Sequence, residues 1–319
     1  MSKQVLAKTD TISREEWLKL RIKGIGGSDA AAVCNLSRYS SALDVWLLKT
    51  GRKGATPDNE AMLFGRLLEP IIRQEFARRV GLAVVECPYM FAFKEYPFMC
   101  ANIDGVVTEK DGTKALLEIK TTNSSTTTKE LEEEGVPVEW YIQMQHYMAV
   151  CNLTIGYLAV LVGGNKFYHK KIERDEETIQ TLIGLESHFW SEYVLKDVPP
   201  PVDASSGEAL SLLYPTAEKG STVVLPPDAD EMVAQWLEIK KAEEEIKTAK
   251  ATCENQLKAM LKDAESGTTT NGYTVRWTSY QSSRVDTTKL KAEEPEVAAK
   301  YTTQTSARKF SVVEPKGKK

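Results

Sequence analysis

Two short apolar segments carry the residues whose types and spacing could do chemistry. Ala101-Asn102-Ile103-Asp104-Gly105-Val106-Val107 and Ala115-Leu116-Leu117-Glu118-Ile119-Lys120 alternate or run apolar over strand length, and Lys110-Asp111-Gly112 between them is a hairpin signal. With those three residues as the loop and Gly112 in the left-handed position, Asp104 faces Glu118 across the hairpin. Paired positions hold Cβ atoms about 4.5–5.5 Å apart, where two like charges destabilise a hairpin. A divalent cation offsets that repulsion, because two carboxylates at this spacing can ligate one oxygen-preferring ion such as Mg²⁺ or Mn²⁺. Strand side chains alternate with period two, so Lys120 shares a face with Glu118. An ammonium there can orient an attacking water and stabilise charge developing on a phosphate. The competing reading is a surface hairpin with ordinary polar residues.

Other side chains could complete such a site. Glu69 lies in Phe64-Gly65-Arg66-Leu67-Leu68-Glu69-Pro70-Ile71-Ile72-Arg73, among apolar residues that should bury it. Pro70 disfavours helix at the preceding position, so the helix is expected to kink or restart there. A carboxylate in apolar surroundings needs a cation or a donor; that partner is either a metal site or a salt bridge to Arg66 or Arg73. In Tyr141-Ile142-Gln143-Met144-Gln145-His146-Tyr147-Met148, Gln143 and Tyr147 stand at i and i+4 and can lean into a site. Met144, Met148 and Cys151 are then left to pack the core, and the lone His146 reads as core or surface rather than ligand. Gly24-Ile25-Gly26-Gly27-Ser28-Asp29 precedes an alanine-rich helix. Ser28 suits its N-cap, and with Arg21 nearby the exposed amides can take an anion, the alternative being a plain glycine turn.

These residues need a frame. The chain has 319 residues, about two domains at roughly 150 residues each. Strand-like runs at 82–86, 155–162 and 166–172 alternate with helical ones at 43–50, 59–80, 140–151 and 175–194. That mixture predicts an α/β domain with a central sheet over residues 1–197. Val198-Pro199-Pro200-Pro201 and Pro226-Pro227 bracket a Pro-rich linker at 198–227. In 228–319, apolar or small residues recur in steps of three and four at Met232, Trp236, Ile239, Ala242, Ile246, Ala249, Cys253, Leu257, Met260 and Ala264. This narrow stripe fits either a helix packed on its own domain or a coiled-coil arm, followed by a small strand unit and a basic tail ending at Lys316 to Lys319.

Composition excludes some classes. No apolar run approaches the 18 or so residues that span a bilayer, and the polar start has no secretory h-region. Five scattered cysteines read as free thiols in a reducing cytoplasm. With 41 Lys+Arg against 45 Asp+Glu, the balance gives no support by itself to a nucleic-acid partner, though a local basic groove remains open.

Taken together, Arg21-x-x-x-Ile25-Gly26-Gly27-Ser28, Gly65-x-x-x-Glu69-Pro70, Asp104-Gly105, Glu118-Ile119-Lys120 and Gln143-x-Gln145-x-x-Tyr147 resemble the YqaJ-type viral recombinases. These are the phage lambda exonuclease-like branch of the PD-(D/E)xK nucleases, and the likeness spans residues 21–195. It implies a restriction-endonuclease-like α/β core, a mixed sheet flanked by helices, with the C-terminal helical or coiled-coil extension and its small β unit lying outside. It also implies a Mg²⁺-dependent exonuclease, using two ions with Mn²⁺ as a substitute, that digests one strand of linear duplex DNA from 5′ to 3′. The 3′ overhang would pass to a RecT- or Beta-like single-strand annealing protein. By the same resemblance Asp104, Glu118 and the Ile119 carbonyl bind metal, Lys120 positions the attacking water, Glu69 and Gln143 complete the catalytic set, and Tyr147 supports it. Arg21 and Ser28 would hold the 5′-phosphate, and Asn102 stands where the family has a small hydroxyl residue. Family members form homotrimeric rings around DNA, which reconciles an acidic chain with a basic channel, and act in the cytoplasm of a host carrying the phage or prophage, away from membranes.

Rival readings are weaker. An iron–sulfur nuclease needs clustered cysteines, and a helicase-nuclease needs a phosphate loop; the sequence has neither. A related endonuclease, or an inactive DNA-binding scaffold of the same fold, is the remaining alternative, although inactive forms usually lose a metal ligand or the lysine. A metal-independent interaction module would leave the clustering unexplained.

Overall fold

The hairpin expected around Lys110-Asp111-Gly112 forms within a five-stranded sheet of the computed structural model, which describes residues 3–55, 57–304 and 308–313. Its strands pair from Gly105↔Leu117 to Thr108↔Lys114, and Gly112 takes φ +88°, the left-handed conformation that the loop requires. The unit that contains it, Met1–Tyr214, begins with β1 (Lys3–Lys8), α1 (Arg14–Ile22), β2 (Ile25–Gly26), α2 (Gly27–Val33), α3 (Ala42–Lys49) and α4 (Glu60–Val80). Then come β3 (Ala83–Val85), β4 (Tyr89–Phe93), β5 (Met99–Asn102), β6 (Gly105–Thr108), β7 (Lys114–Thr122) and α5 (Ser125–Lys129). The unit closes with α6 (Val138–Cys151), β8 (Ile155–Val162), β9 (Lys166–Glu173), α7 (Glu176–His188) and α8 (Gly207–Leu213), with π-helical turns at Glu130–Glu134 and Phe189–Val194. One sheet has the order β3-β6-β7-β8-β9 and is mixed, its β7–β8 pair being parallel; the other has the order β1-β4-β5-β2. The fold is α/β, mixed sheets flanked by helices, as the alternation of strand-like and helical runs predicts.

Alternation along β7 decides which side chains meet which helix. Ala115, Leu117 and Ile119, with Tyr157 and Ala159 of β8, bury against Ile72 and Phe76 of α4. Leu116, with Leu158, Val160 and Val162, buries on the other face against Met144, Met148 and Cys151 of α6. Glu118 and Lys120 fall in the second register, so β7 aims them toward α6.

Helix α4 departs from expectation. It runs unbroken for 21 residues with Pro70 inside it, where a kink or restart is expected. The burial of Ile72 and Phe76 contributes roughly 1.5–3 kcal/mol each, which offsets the cost of about 3 kcal/mol for an interior proline. The apolar residues around Glu69 are also less buried than their chemistry suggests: Phe64, Leu67 and Ile71 are 53%, 57% and 60% exposed. Apolar residues occur around most of this helix, but only one stripe of it can face the sheet. Glu69 is accordingly half-buried.

The same unit extends beyond the expected start of the linker. Within 198–227, Gly207–Leu213 forms α8, whose Ala209 is fully buried in a cluster with Leu43 and Trp46 of α3. The division between units falls after Tyr214.

The second unit, Pro215–Lys319, holds α9 (Asp228–Leu261), the antiparallel pair β10 (Ser266–Thr268) and β11 (Thr274–Arg276), α10 (Thr287–Glu293) and α11 (Pro295–Lys300). No residue of α9 is buried, and Met232, Ile239, Ile246 and Met260 of its stripe are all exposed. Within this unit the Trp236 ring meets Phe310 edge-on at 5.9 Å. Lys316 to Lys319 lie outside the described residues. Among the described residues no helix is long and apolar enough to cross a membrane.

Candidate active site

Asp104 stands where the chain leaves one sheet for the other, between the end of β5 and the start of β6. Its backbone N–H donates to the Leu117 carbonyl at 3.1 Å. The ladder then ends, and the Ile119 N–H donates to Asp104 Oδ2 at 2.7 Å. A side chain thus takes over from the missing strand and ties Asp104 to the segment bearing Glu118. On β7, Glu118 Oε1 lies 2.8 Å from the Lys120 Nζ and accepts from the Gln143 amide at 2.6 Å. Lys120 also donates to Gln143 Oε1 at 2.8 Å, and Gln143 donates to the Tyr147 hydroxyl at 3.2 Å. The i, i+4 spacing of Gln143 and Tyr147 on α6 therefore brings both to the face that β7 presents.

Charge is unbalanced here. Burial pushes the Asp104 carboxyl well above the ordinary range, and the Glu118 and Glu69 carboxylates push it further, against the Ile119 N–H. Burial also raises Glu69, with Arg73 opposing. The Tyr147 phenol is held well above its usual value by burial and by the same carboxylates, Glu118 then Asp104. Glu118 Oε2 is buried with no hydrogen-bond partner. A buried carboxylate oxygen without a donor is costly, and oxygen donors around excess negative charge suit a hard divalent cation. Among the described residues no three His, Cys, Asp or Glu side chains form a ready metal cage. Mg²⁺ does not need one, since it commonly takes one or two carboxylates and completes its shell with water and substrate phosphate. The residues present fit such an ion.

Of the two partners open to Glu69, Arg73 is the one it pairs with, one turn along α4. Arg73 also donates to the Asp104 carbonyl at 3.1 Å, so this arginine joins Glu69 to the carboxylate site. Arg66 pairs instead with Asp58.

A second constellation adjoins the first. The Arg21 guanidinium donates to Ser28 Oγ at 2.7 Å. Gly26, not Ser28, is the N-cap of α2, because Asp29 reaches back to accept the Gly26 N–H at 3.0 Å and leaves the Ser28 hydroxyl to Arg21. Asn102 Oδ1 accepts from the Trp17 indole at 2.9 Å, and Arg21 lies 5.0 Å over the Trp17 ring. Gly27 packs so closely on α6 that a Cβ there would come within 2.5 Å of the Tyr147 ring and 2.8 Å of Gln143 Cγ. Arg21, Ser28 and Asn102 are thus gathered beside the carboxylate site. Sequence reasoning missed Trp17 and Lys49, whose Nζ donates to the Arg21 carbonyl at 2.9 Å: Trp17 had a signal, one helical turn before Arg21, whereas Lys49 reaches the group only through the tertiary fold. His146 is fully buried, its ring nitrogens 2.8 Å from Glu186 Oε1 and 2.9 Å from the Cys100 carbonyl, so it belongs to the core as expected.

The family model of the YqaJ-like viral recombinase domain matches residues 16–154. The uncharacterized protein YqaJ of Bacillus subtilis (strain 168) is 39% identical over 316 residues, 98% of each chain. Among solved structures, the alkaline exonuclease LHK-Exo from Laribacter hongkongensis is 24% identical with a TM-score of 0.48, covering 57% of this chain and 93% of that one. A phage related exonuclease from Haemophilus somnus 129PT is 15% identical with a TM-score of 0.45, covering 57% and 98%.

Proposed function

The chain belongs to the YqaJ-like viral recombinase family, and from that premise we propose that it is a Mg²⁺-dependent exonuclease that digests one strand of linear duplex DNA from 5′ to 3′. The observation that carries this reading is the half-buried Asp104 beside the buried Glu118, with Lys120 on the same face and Glu118 Oε2 left without a partner. Asp104, Glu118 and the Ile119 carbonyl would hold one or two Mg²⁺ ions, or Mn²⁺ in their place, and such a metal would supply Lewis-acid polarisation of a phosphate and a more acidic water.

The remaining work falls to side chains. Lys120, fixed by Glu118 and Gln143, orients the attacking water and offsets charge developing on the phosphate. Tyr147 accepts from Gln143 and holds its amide in place. Glu69, kept near by Arg73, completes the catalytic set. Arg21 and Ser28 grip the 5′-terminal phosphate, and Asn102 contributes by fixing Trp17 under Arg21.

In this reading the 3′ overhang passes to a RecT- or Beta-like single-strand annealing protein. The working form is a homotrimeric ring around DNA in the cytoplasm of a host that carries the phage or prophage, a setting supported by five cysteines that are all unpaired. The test is digestion of linear duplex labelled at either end, with Mg²⁺ and then with EDTA. Early release of 5′-label, dependent on the ion, is the expected outcome; no digestion, or digestion in EDTA, overturns the reading.

A further inference from the structure

Lys49 ends α3 with its side chain wholly buried. An ammonium removed from water is costly unless it is paired and fully hydrogen-bonded. Lys49 Nζ lies 2.7 Å from Asp29 Oδ2 and donates to the Arg21 carbonyl at 2.9 Å. The same Asp29 oxygen accepts the Gly26 N–H at 3.0 Å. Its other oxygen stands 3.8 Å from Arg21 Nη2, the margin of an ion pair, while that nitrogen is only 2.7 Å from Ser28 Oγ. Burial pushes the Asp29 carboxyl up, but Lys49 and then Arg21 more than offset this and hold it below the ordinary range, so it is ionised at neutral pH. One anion between two cations leaves one net positive charge beside Ser28.

We propose that Lys49 is a positioning residue for the 5′-phosphate: it satisfies Asp29, which leaves the Arg21 guanidinium free for the phosphate, and it anchors the Arg21 backbone. This inference rests on the exonuclease reading and deepens it. In the absence of Lys49, Asp29 draws Arg21 into a closed two-pronged pair and cancels the charge that the phosphate would meet. In the absence of both Lys49 and the Asp29 charge, nothing captures Arg21, and the pocket regains its function. A merely structural ion pair makes the opposite forecast, since removing both partners leaves the pocket as disturbed as removing one.

The experiment compares kcat/KM of the full chain with Mg²⁺ on blunt duplexes bearing 5′-phosphate or 5′-hydroxyl ends. Lys49→Met is expected to lower the phosphate-to-hydroxyl ratio about tenfold, chiefly through KM, the size of one lost charge-assisted hydrogen bond. Asp29→Asn combined with Lys49→Met still offers an acceptor to the Gly26 N–H, and it is expected to restore the ratio. An unchanged ratio in Lys49→Met, or a double variant that stays low, overturns the proposal. Should Lys49→Met fail to fold, the double variant decides alone: a wild-type ratio supports the proposal and a lost preference overturns it. A wild-type chain that digests neither substrate instead overturns the exonuclease reading and this inference with it.

Discussion

Lys120 reaches Glu118 Oε1 at 2.8 Å from the same strand face, while Glu118 Oε2 is buried with no partner. One oxygen is committed to the protein, and in the proposed reading the other is the one that would face the metal. Asp104→Ala, Glu118→Ala and Lys120→Ala should therefore each lower the rate of duplex digestion by on the order of a hundred- to a thousandfold. Circular dichroism should show the fold intact in all three. Near-normal digestion by any folded variant among them would remove that residue from the site.

A site with surplus negative charge is stabilised by losing it. Burial, Glu118 and Glu69 all push the Asp104 carboxyl up, so the ionised form is penalised in the native state. Asp104→Asn can still accept from the Ile119 N–H and removes that penalty. In EDTA at neutral pH it should melt higher than the wild type, by a few degrees for each kcal/mol gained, roughly 2–4 °C in a unit of this size. Mg²⁺ should raise the Tm of the wild type and leave that of Asp104→Asn unmoved. A lower Tm for the variant in EDTA would mean that the carboxylate is structural.

The buried pair of His146 and Glu186 gives a pH dependence of known sign. Burial alone lowers the imidazole pKa, but the Glu186 carboxylate and then the Cys100 carbonyl outweigh it, and the folded value lies above the ordinary 6.5. A histidine with a raised folded pKa contributes stability that is fully present below its unfolded value and is lost as pH rises through the folded one. Wild-type Tm should accordingly fall as pH climbs from about 6.5 into the alkaline range. His146→Gln should flatten that slope and cost about 3–5 kcal/mol, because Glu186 is left buried without its cation. Parallel Tm-against-pH curves for the two proteins would refute the assignment.

What the sequence made legible was local. Period-two alternation and a three-residue loop suffice to put Asp104 opposite Glu118 and Lys120 beside it, and the 3.6-residue period puts Gln143 and Tyr147 on one face of α6. Glu69 was harder, because a helix apolar around most of its circumference does not declare which stripe the sheet will cover. Pro70 misled for a related reason: the local penalty was visible, but the burial of Ile72 and Phe76 that overrides it depends on tertiary packing. Ser28 looked like a cap because its own chemistry allows it, whereas Asp29 reaches the Gly26 N–H first. The bonds from Asn102 to Trp17, Lys49 to Asp29 and His146 to Glu186 join residues 85, 20 and 40 positions apart, and no local pattern encodes them.

The first unit continues through α8. Ser206 and Ala209 are fully buried, and Ala209 belongs to the cluster built on α3, so the segment around α8 is part of the first unit's core. A chain ending at Tyr214 should be soluble, melt cooperatively and retain Mg²⁺-dependent digestion. One ending at Pro201 lacks α8 and should lose on the order of 2 kcal/mol from that apolar burial. We propose that residues from about 228 onward act as an arm, because α9 spans 34 residues and no residue of it is buried. Its loss should weaken self-association, processivity or capture of an annealing protein while initial cleavage at a DNA end persists. Sedimentation and single-turnover digestion of the two truncations, beside the full chain, separate these effects. If the chain ending at Tyr214 is insoluble and inactive, the second unit is part of the catalytic fold and the arm does not exist.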